Sequence, residues 1–500
     1  MERIENHRPL LDCGAGLRAF LVDDFEAEVA TVRPGIDLTD KRVLVVGLAR
    51  TGIASALFSA ARGARVTATD ELPEEKLKEA AAKLRSAGVR VELGVHRSEI
   101  FLDQDLVVVS PGVPAKLPPL ELARGRGIPV WSEIELAWRF LHGRLVAITG
   151  SNGKTTTTSL VAHILKTAGI PTLIGGNIGT PLLAHVESST DSTITVAEIS
   201  SFQLETIEAF RPDIGVLLNL TPDHLDRHTS FEEYARVKMR LFENQIECDA
   251  AILNADDPEV AQRLPARPHV YWFSRQKRVA SGSFLRDAQI IFRDDGAEEI
   301  LLRREDIPLR GGHNVENVLA ACIAARLSGA APAAISHGVK TFPGVEHRIE
   351  FVAEIDGVQF YNDSKATNVD ATLKAITAFS SPLLVILGGK DKGAPYTPLR
   401  EPLRRHARVA LLIGSATPKI AADLGDAVPL VHAESLDRAV HLAFEHARPG
   451  DTVLLAPACS SFDQFENYEH RGRVFKDLIR QLAAHRSGHA ANAGAPANHH

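Results

Sequence analysis

The eight residues Thr149-Gly150-Ser151-Asn152-Gly153-Lys154-Thr155-Thr156 stand between an apolar run, LVAI, and an amphipathic segment, SLVAHILKTAG. Strand, glycine-rich loop, Gly-Lys-Thr and helix, in that order, commit a chain to an α/β layer in which a strand feeds a helix through a tight turn. Glycines at 150 and 153 let backbone N–H groups approach an anion, and the helix N-terminus adds a favourable dipole. In such a loop Lys154 reaches the β- and γ-phosphates of ATP, Thr155 ligates magnesium, and Asn152 and Thr156 complete the cradle. The position six residues before Lys154, a glycine in the common form of the motif, is Ile148 here. The bland alternative is an ordinary glycine turn ahead of a helix. A phosphate loop by itself names no reaction.

The same strand–turn–helix pattern repeats on both sides of this loop. KRVLVVG reads as a strand, GIASALFSAARG as a helix ending in glycine, ARVTATD as a second strand, and DLVVVSPG as a third. STITVAE and DIGVLLNL continue the central block, and PLLVILGG, RVALLIGSA and DTVLLAPA form another. Such alternation predicts parallel sheets covered by helices. With 500 residues to place, it predicts three α/β domains. A Rossmann-like N-terminal domain is expected over 37–141, a central P-loop ATPase-type domain over 142–345 and a Rossmann-like C-terminal domain over 346–485. An N-terminal extension, 1–36, precedes them, and a small-residue, polar tail, 486–500, is expected to be disordered. Ligands of open α/β sheets lie at the C-terminal strand ends, so three domains facing a shared cleft are expected.

Composition narrows the partners. A net charge of -7 and a pI near 6.3 give no sign of a nucleic acid or a membrane surface as partner. An anionic substrate then needs local basic residues. Cys13, Cys248, Cys322 and Cys459 are scattered without CxxC pairs, which argues against a disulfide framework or structural zinc and fits a reducing compartment. The first residues lack a signal-peptide pattern, and no apolar run approaches the ~20 residues of a membrane span. A cytoplasmic protein is expected.

Downstream of the loop lie polar residues that a simple ATPase does not need. Glu198 ends ITVAE, Asp223 and His224 follow GVLLNL, and Lys238 sits on the next helix. Singly, each reads as structure: a satisfied histidine, a solvated lysine. Together with the phosphate loop, carboxylate and imidazole at strand ends suit magnesium beside ATP phosphates.

TGSNGKTTT, GGNIGTPLL, EISSFQLE, NLTPDHLDRH, GGHNVENVLAA, EHRIE, NDSKATN and APACSSFDQF, in this order from about Lys41 to Leu482, resemble the Mur ligase family, which builds the peptide stem of bacterial cell-wall precursors. NDSKATN and CSSFDQF look most like the member that adds D-glutamate. The resemblance implies that ATP phosphorylates the carboxylate of UDP-N-acetylmuramoyl-L-alanine. The amine of D-glutamate then attacks the acyl phosphate, and domain closure keeps water out. It implies catalytic roles for Lys154, Lys238, His224 and Lys365, and magnesium, as two ions, on Thr155, Glu198, His224 and Lys238. Lys238 matches a lysine that CO₂ converts to a carbamate, which removes a cation that two Mg²⁺ would repel. It implies ATP contacts from Asn317, Arg348 and Asp363. Asn177 and His224 resemble part of the muramoyl-alanine site, and Lys392, Thr367, Ser461 and Tyr468 the D-glutamate pocket. Lys390 competes with Lys392 there, and register alone favours Lys392. Small-molecule substrates and a monomer are expected.

In the first domain Gly47-Leu48-Ala49-Arg50-Thr51-Gly52 follows a strand and Asp70 ends the next, an imperfect dinucleotide fingerprint with alanine at its middle glycine. In the ligase reading Arg50 and Thr51 bind the UDP diphosphate, Asp70 lies near uridine, and Ser110 and Gly112 line the same pocket. Three rivals compete. Another amide ligase of this architecture predicts a different acceptor. An NAD-dependent oxidoreductase leaves TGSNGKTTT unexplained. A regulatory nucleotide-binding module has no use for Glu198, His224 and Lys238.

Overall fold

A computed structural model describes residues 33–224 and 227–493. The chain divides into two compact units. Among the described residues the first comprises 33–220, Ser230–Asp306 and Glu316–Thr341, and the second comprises the described part of 221–229, Ile307–Val315 and 342–493.

The first unit contains two sheets. One is formed by β1 (Arg42–Val46), β2 (Arg65–Asp70), β3 (Arg90–Leu93), β4 (Leu106–Val109) and β5 (Val130–Ser132), all parallel, in the order β3-β2-β1-β4-β5. Val43 to Val46 are fully buried because helices cover both faces of a parallel sheet. The order reverses between β1 and β4, so the loops after these two strands flank a crevice.

The other sheet has nine strands: β6 (Arg144–Thr149), β7 (Thr172–Gly176), β8 (Ile194–Glu198), β9 (Ile214–Leu217), β10 (Ala250–Asn254), β11 (His269–Ser274), β12 (Gly282–Arg286), β13 (Gln289–Asp294) and β14 (Ala297–Arg303). Their order is β14-β13-β12-β11-β10-β9-β6-β8-β7. β6 lies between β8 and β9, so the chain reverses direction around it and the loop after β6 opens at the switch point. β12, β13 and β14 are antiparallel. Their turns, Asp287-Ala288 and Asp295-Gly296, have positive φ at both central residues, the hairpin turn that matches strand twist.

The second unit is built on β15 (Glu350–Ile355), β16 (Val358–Asn362), β17 (Leu383–Gly388), β18 (Ala407–Ile413), β19 (Leu430–Glu434) and β20 (Thr452–Leu455), in the order β15-β16-β20-β17-β18-β19. Only β15 runs antiparallel to its neighbour. Here the switch lies between β17 and β20. Arg310, from one of the short recruited segments, lies over the rings of Tyr361 and Phe379, 5.1 and 5.5 Å from their centroids.

One expectation needs correction. The helix Tyr468–Ala493 continues past the expected start of the tail, and Arg486 on it pairs with Asp356. Residues 494–500, like 1–32 of the N-terminal extension, lie outside the described residues. Among the described residues Cys322 and Cys459 are free and buried. Among the described residues no helix is long and apolar enough to cross a membrane.

Candidate active site

The loop after β6 takes its shape from two glycines, Gly150 at φ 148° and Gly153 at φ 88°. A Cβ at Gly153 would stand 2.3 Å from the side-chain oxygen of Asn317, so the buried carboxamide packs directly on the loop. Asn219, past the end of β9, brackets Asn152. Its Oδ1 accepts from the Asn152 N–H at 2.8 Å and its Nδ2 donates to the Asn152 carbonyl at 3.0 Å. Lys154 opens the helix Lys154–Thr167, and its ammonium donates to the carbonyls of Gly150 and Ser151 at 2.7 and 2.9 Å. Thr156 is buried beneath the loop.

Glu198, at the end of β8 and 2% exposed, is the acidic centre of this site. One carboxylate oxygen accepts from the Thr155 hydroxyl at 2.6 Å and the other from the Asn177 amide at 2.8 Å. The GGNIG turn lies against the same strand end: the Asn177 N–H donates to the Glu198 carbonyl, and a Cβ on Gly176 would stand 2.4 Å from that oxygen. Lys238 lies on the helix Phe231–Met239 and is 1% exposed. Its Nζ donates to the Gly150 carbonyl at 3.0 Å and the Thr149 hydroxyl at 3.3 Å, and lies 4.9 Å from the Tyr234 ring centroid. Adjacent strand ends thus gather Lys154, Thr155, Asn177 and Glu198 around one loop, and the helix Phe231–Met239 adds Lys238.

In the first sheet Asp70 accepts from the Leu48 and Leu72 N–H groups, at 2.7 and 2.9 Å, which ties the end of β2 to the loop after β1. The Ser110 hydroxyl donates to the Gly47 carbonyl at 2.7 Å. A Cβ on Gly52 would sit 1.8 Å from that same carbonyl oxygen, so the helix Arg50–Ala61 can start here only with glycine. Arg50 is exposed and reaches the Gly179 carbonyl at 3.4 Å, while Thr51 is half-buried beside it and Gly112 borders open space.

The second unit carries the rest. His224 is at φ 53°, its N–H donating to Asp223 Oδ1 at 3.1 Å. Arg348 sits between His347 at φ 63° and Ile349 at φ 44°, and a β-branched residue in that region is a strained one. Glu350 holds the turn by accepting from the His347 N–H at 2.8 Å, Asn362 at 3.1 Å and Lys476 at 2.9 Å. Arg348 lies 3.7 Å from Asp363, whose complete burial raises its carboxyl above the usual range against the pull of that guanidinium. Lys365 reaches the Tyr468 hydroxyl at 3.4 Å and Lys392 the Thr367 hydroxyl at 3.5 Å, both long contacts. Ser461 is buried. The Lys390 backbone is bridged to Ser460, and its side chain is exposed.

Several residues escaped sequence reasoning. Arg471, fully buried, donates to the Ser364 hydroxyl and carbonyl and to the Cys459 carbonyl, which ties NDSKATN to the loop before Ser461. Burial lowers its guanidinium to about 10. Glu133 and Glu135, also buried, accept backbone N–H groups of Leu183 and of Glu208, Ala209 and Phe210. Nothing in their motifs marks these partners, which lie roughly 50 or more residues away. Among the described residues no group of three His, Cys, Asp or Glu side chains is arranged to hold a metal. The oxygen pair of Thr155 and Glu198 is nonetheless the donor type that magnesium takes.

A phosphate-type loop at the switch point of a parallel sheet, beside a Rossmann-type sheet, defines a P-loop α/β nucleotide-binding protein. Residues 41–132 match the Mur ligase MurD-like N-terminal domain, 148–325 the Mur ligase middle domain, and 347–459 the glutamate ligase domain of Mur ligases. Two relatives, from Koribacter versatilis and Acidobacterium capsulatum, are each named UDP-N-acetylmuramoylalanine--D-glutamate ligase. Each is 54% identical, over 90% and 91% of this chain and 99% of its own length. A solved MurF ligase from Thermotoga maritima in complex with ADP shares the fold at TM-score 0.56 and 16% identity, covering 90% of this chain and all of its own. The chain belongs to the Mur ligase family.

Proposed function

We propose that the protein joins D-glutamate to UDP-N-acetylmuramoyl-L-alanine, with ATP converted to ADP and phosphate, in peptidoglycan precursor synthesis. The observation that carries this reading is the 54% identity, nearly end to end, to ligases of that name, on a chain that carries the Gly153-Lys154-Thr155 core of a phosphate loop. A carboxylate is a poor electrophile at neutral pH. Transfer of the γ-phosphoryl group makes an acyl phosphate, the D-glutamate amine attacks it, and phosphate leaves from a tetrahedral intermediate.

The chain's own residues divide the work. The N–H groups around Gly150–Thr155 and the Lys154 ammonium hold the ATP phosphates, with Asn317, Arg348 and Asp363 as further contacts. Thr155, Glu198, His224 and Lys238 as a carbamate would hold magnesium. A carbamate keeps one N–H on Nζ, enough for the bond to the Gly150 carbonyl. Magnesium, when bound, offsets phosphate charge. Arg50, Thr51, Asp70, Ser110 and Gly112 take the UDP moiety and Asn177 the muramoyl-alanine end. Lys392, Thr367 and Ser461 pair the two carboxylates of D-glutamate, with Tyr468 and Lys365 beside them. A monomer working in the cytoplasm completes the reading.

Phosphate release tests it. Release should require UDP-N-acetylmuramoyl-L-alanine and D-glutamate together. L-Alanine, L-glutamate and meso-diaminopimelate should support less than about one-hundredth of that rate, because each leaves a buried polar group unpaired or turns the amine away. A faster rate with L-alanine or diaminopimelate would sink the assignment of the acceptor.

A further inference from the structure

Lys392 and Ser461 come from loops that follow different strands, β17 and β20, and neither loop is held by regular pairing where these residues stand. The backbone bridge between Lys390 and Ser460 joins the loops at their start, and beyond it a chain of side chains, none of which belongs to the site as described, joins them again. The Tyr396 hydroxyl lies 2.7 Å from Asp391 Oδ1 and 3.0 Å from Cys459 Sγ. Asp391 immediately precedes Lys392, and Cys459 stands two residues before Ser461. The other Asp391 oxygen accepts from Lys419 Nζ at 2.9 Å, and the same ammonium donates to the Ala394 carbonyl at 3.0 Å. Tyr396 is 1% exposed, and its own N–H donates to Asp423 at 2.9 Å.

The direction of these bonds follows from the inventory of protons. A tyrosine hydroxyl has one hydrogen, and the ionised carboxylate is its stronger acceptor, so it donates to Asp391. The Cys459 thiol must then donate to the Tyr396 oxygen. Burial works against ionisation of Asp391, but Lys419 and Tyr396 outweigh it and hold the carboxyl below its ordinary range. Burial pushes the Cys459 thiol up to about 11, so it keeps the hydrogen that the bond needs. The loop start is fixed as well, by the Lys390–Ser460 backbone bridge.

We propose that Tyr396, Asp391 and Lys419 are positioning residues for the acceptor amino acid, setting the distance between Lys392 and Ser461 by bridging the residues next to them. This rests on the reading of Lys392 and Ser461 as the acceptor pocket. A carboxylate bound between an ammonium and a hydroxyl on separate loops is sensitive to shifts well under 1 Å, whereas nucleotide contacts made elsewhere are not.

The experiment measures KM separately for D-glutamate, ATP and the UDP substrate in Tyr396→Phe and Asp391→Asn, with melting temperature as the check on folding. Tyr396→Phe removes one oxygen and keeps the ring. Both variants should raise KM for D-glutamate about tenfold, the cost of a lost charge-assisted bond, while the other two constants stay within about twofold. An unchanged KM for D-glutamate, or three constants rising together, overturns the proposal. If the wild type itself does not use D-glutamate, the pocket reading fails first, and the phosphate-release assay reports that independently.

Discussion

Glu133 shows what one buried carboxyl does. It accepts from the Leu183 N–H at 2.7 Å, and burial raises its carboxyl from 4.5 to about 7. The native state therefore binds this proton more tightly than the unfolded chain. Its contribution to stability is greatest below pH ~4.5, falls as pH rises through ~7, and stays at its lower value above that, a swing of about 3 kcal/mol. Glutamine keeps the oxygen that accepts from Leu183 and cannot ionise. Glu133→Gln should match the wild type in urea unfolding near pH 5 and exceed it near pH 8. A gap that fails to open between those two pH values would show that the carboxyl is not held protonated. At this scale part was legible in the sequence: Lys154, Thr155 and Glu198 announce themselves by motif and strand end, and the Thr155 hydroxyl does meet Glu198. Glu133, Tyr396 and Arg471 do not, because an isolated carboxyl, phenol or guanidinium gains its meaning from partners far along the chain.

Elements were legible where both flanks of a turn repeat a pattern. Every strand read from KRVLVV to DTVLLA forms, since a continuous apolar run bounded by glycine or a polar turn has few alternatives to a buried parallel strand. The antiparallel extension β12–β14 is not legible in this way, although Asp295-Gly296 is a strong hairpin signal, because adjacent charges at Arg293-Asp294 and Glu298-Glu299 break the alternation of a strand. The junction of β1 with the helix Arg50–Ala61 offers a test. Gly52→Ala places a methyl group 1.8 Å from the Gly47 carbonyl oxygen, and backbone cannot yield as a side chain can. Destabilisation of about 2 kcal/mol or more is expected, together with a raised KM for the UDP substrate. Wild-type stability in chemical denaturation would mean that the helix can pivot away without cost.

On the scale of the whole molecule, three sheets were foreseen, but the division into compact units was not. The second unit draws on residues 221–229 and 307–315, which no linker-like composition sets apart. Membership follows packing, as with Arg310 over Tyr361 and Phe379, and packing of that kind has no local signature. A fragment beginning at Phe342 loses both ring contacts, worth about 1–2 kcal/mol together. Amides of β16 and β20 should exchange hydrogen roughly tenfold faster in that fragment than in the full chain. Equal protection would make the short segments passengers. The strand order has one more consequence, in time. β20 lies between β16 and β17, so the sheet of the second unit cannot close until the last of its strands is made. At a synthesis rate of ~5–20 residues per second, the 307–315 segment waits on the order of ten seconds for the surface it covers. Over that interval Arg310 and its neighbours are nascent chain without a template, and the ribosome, rather than any contact described above, decides when they find one.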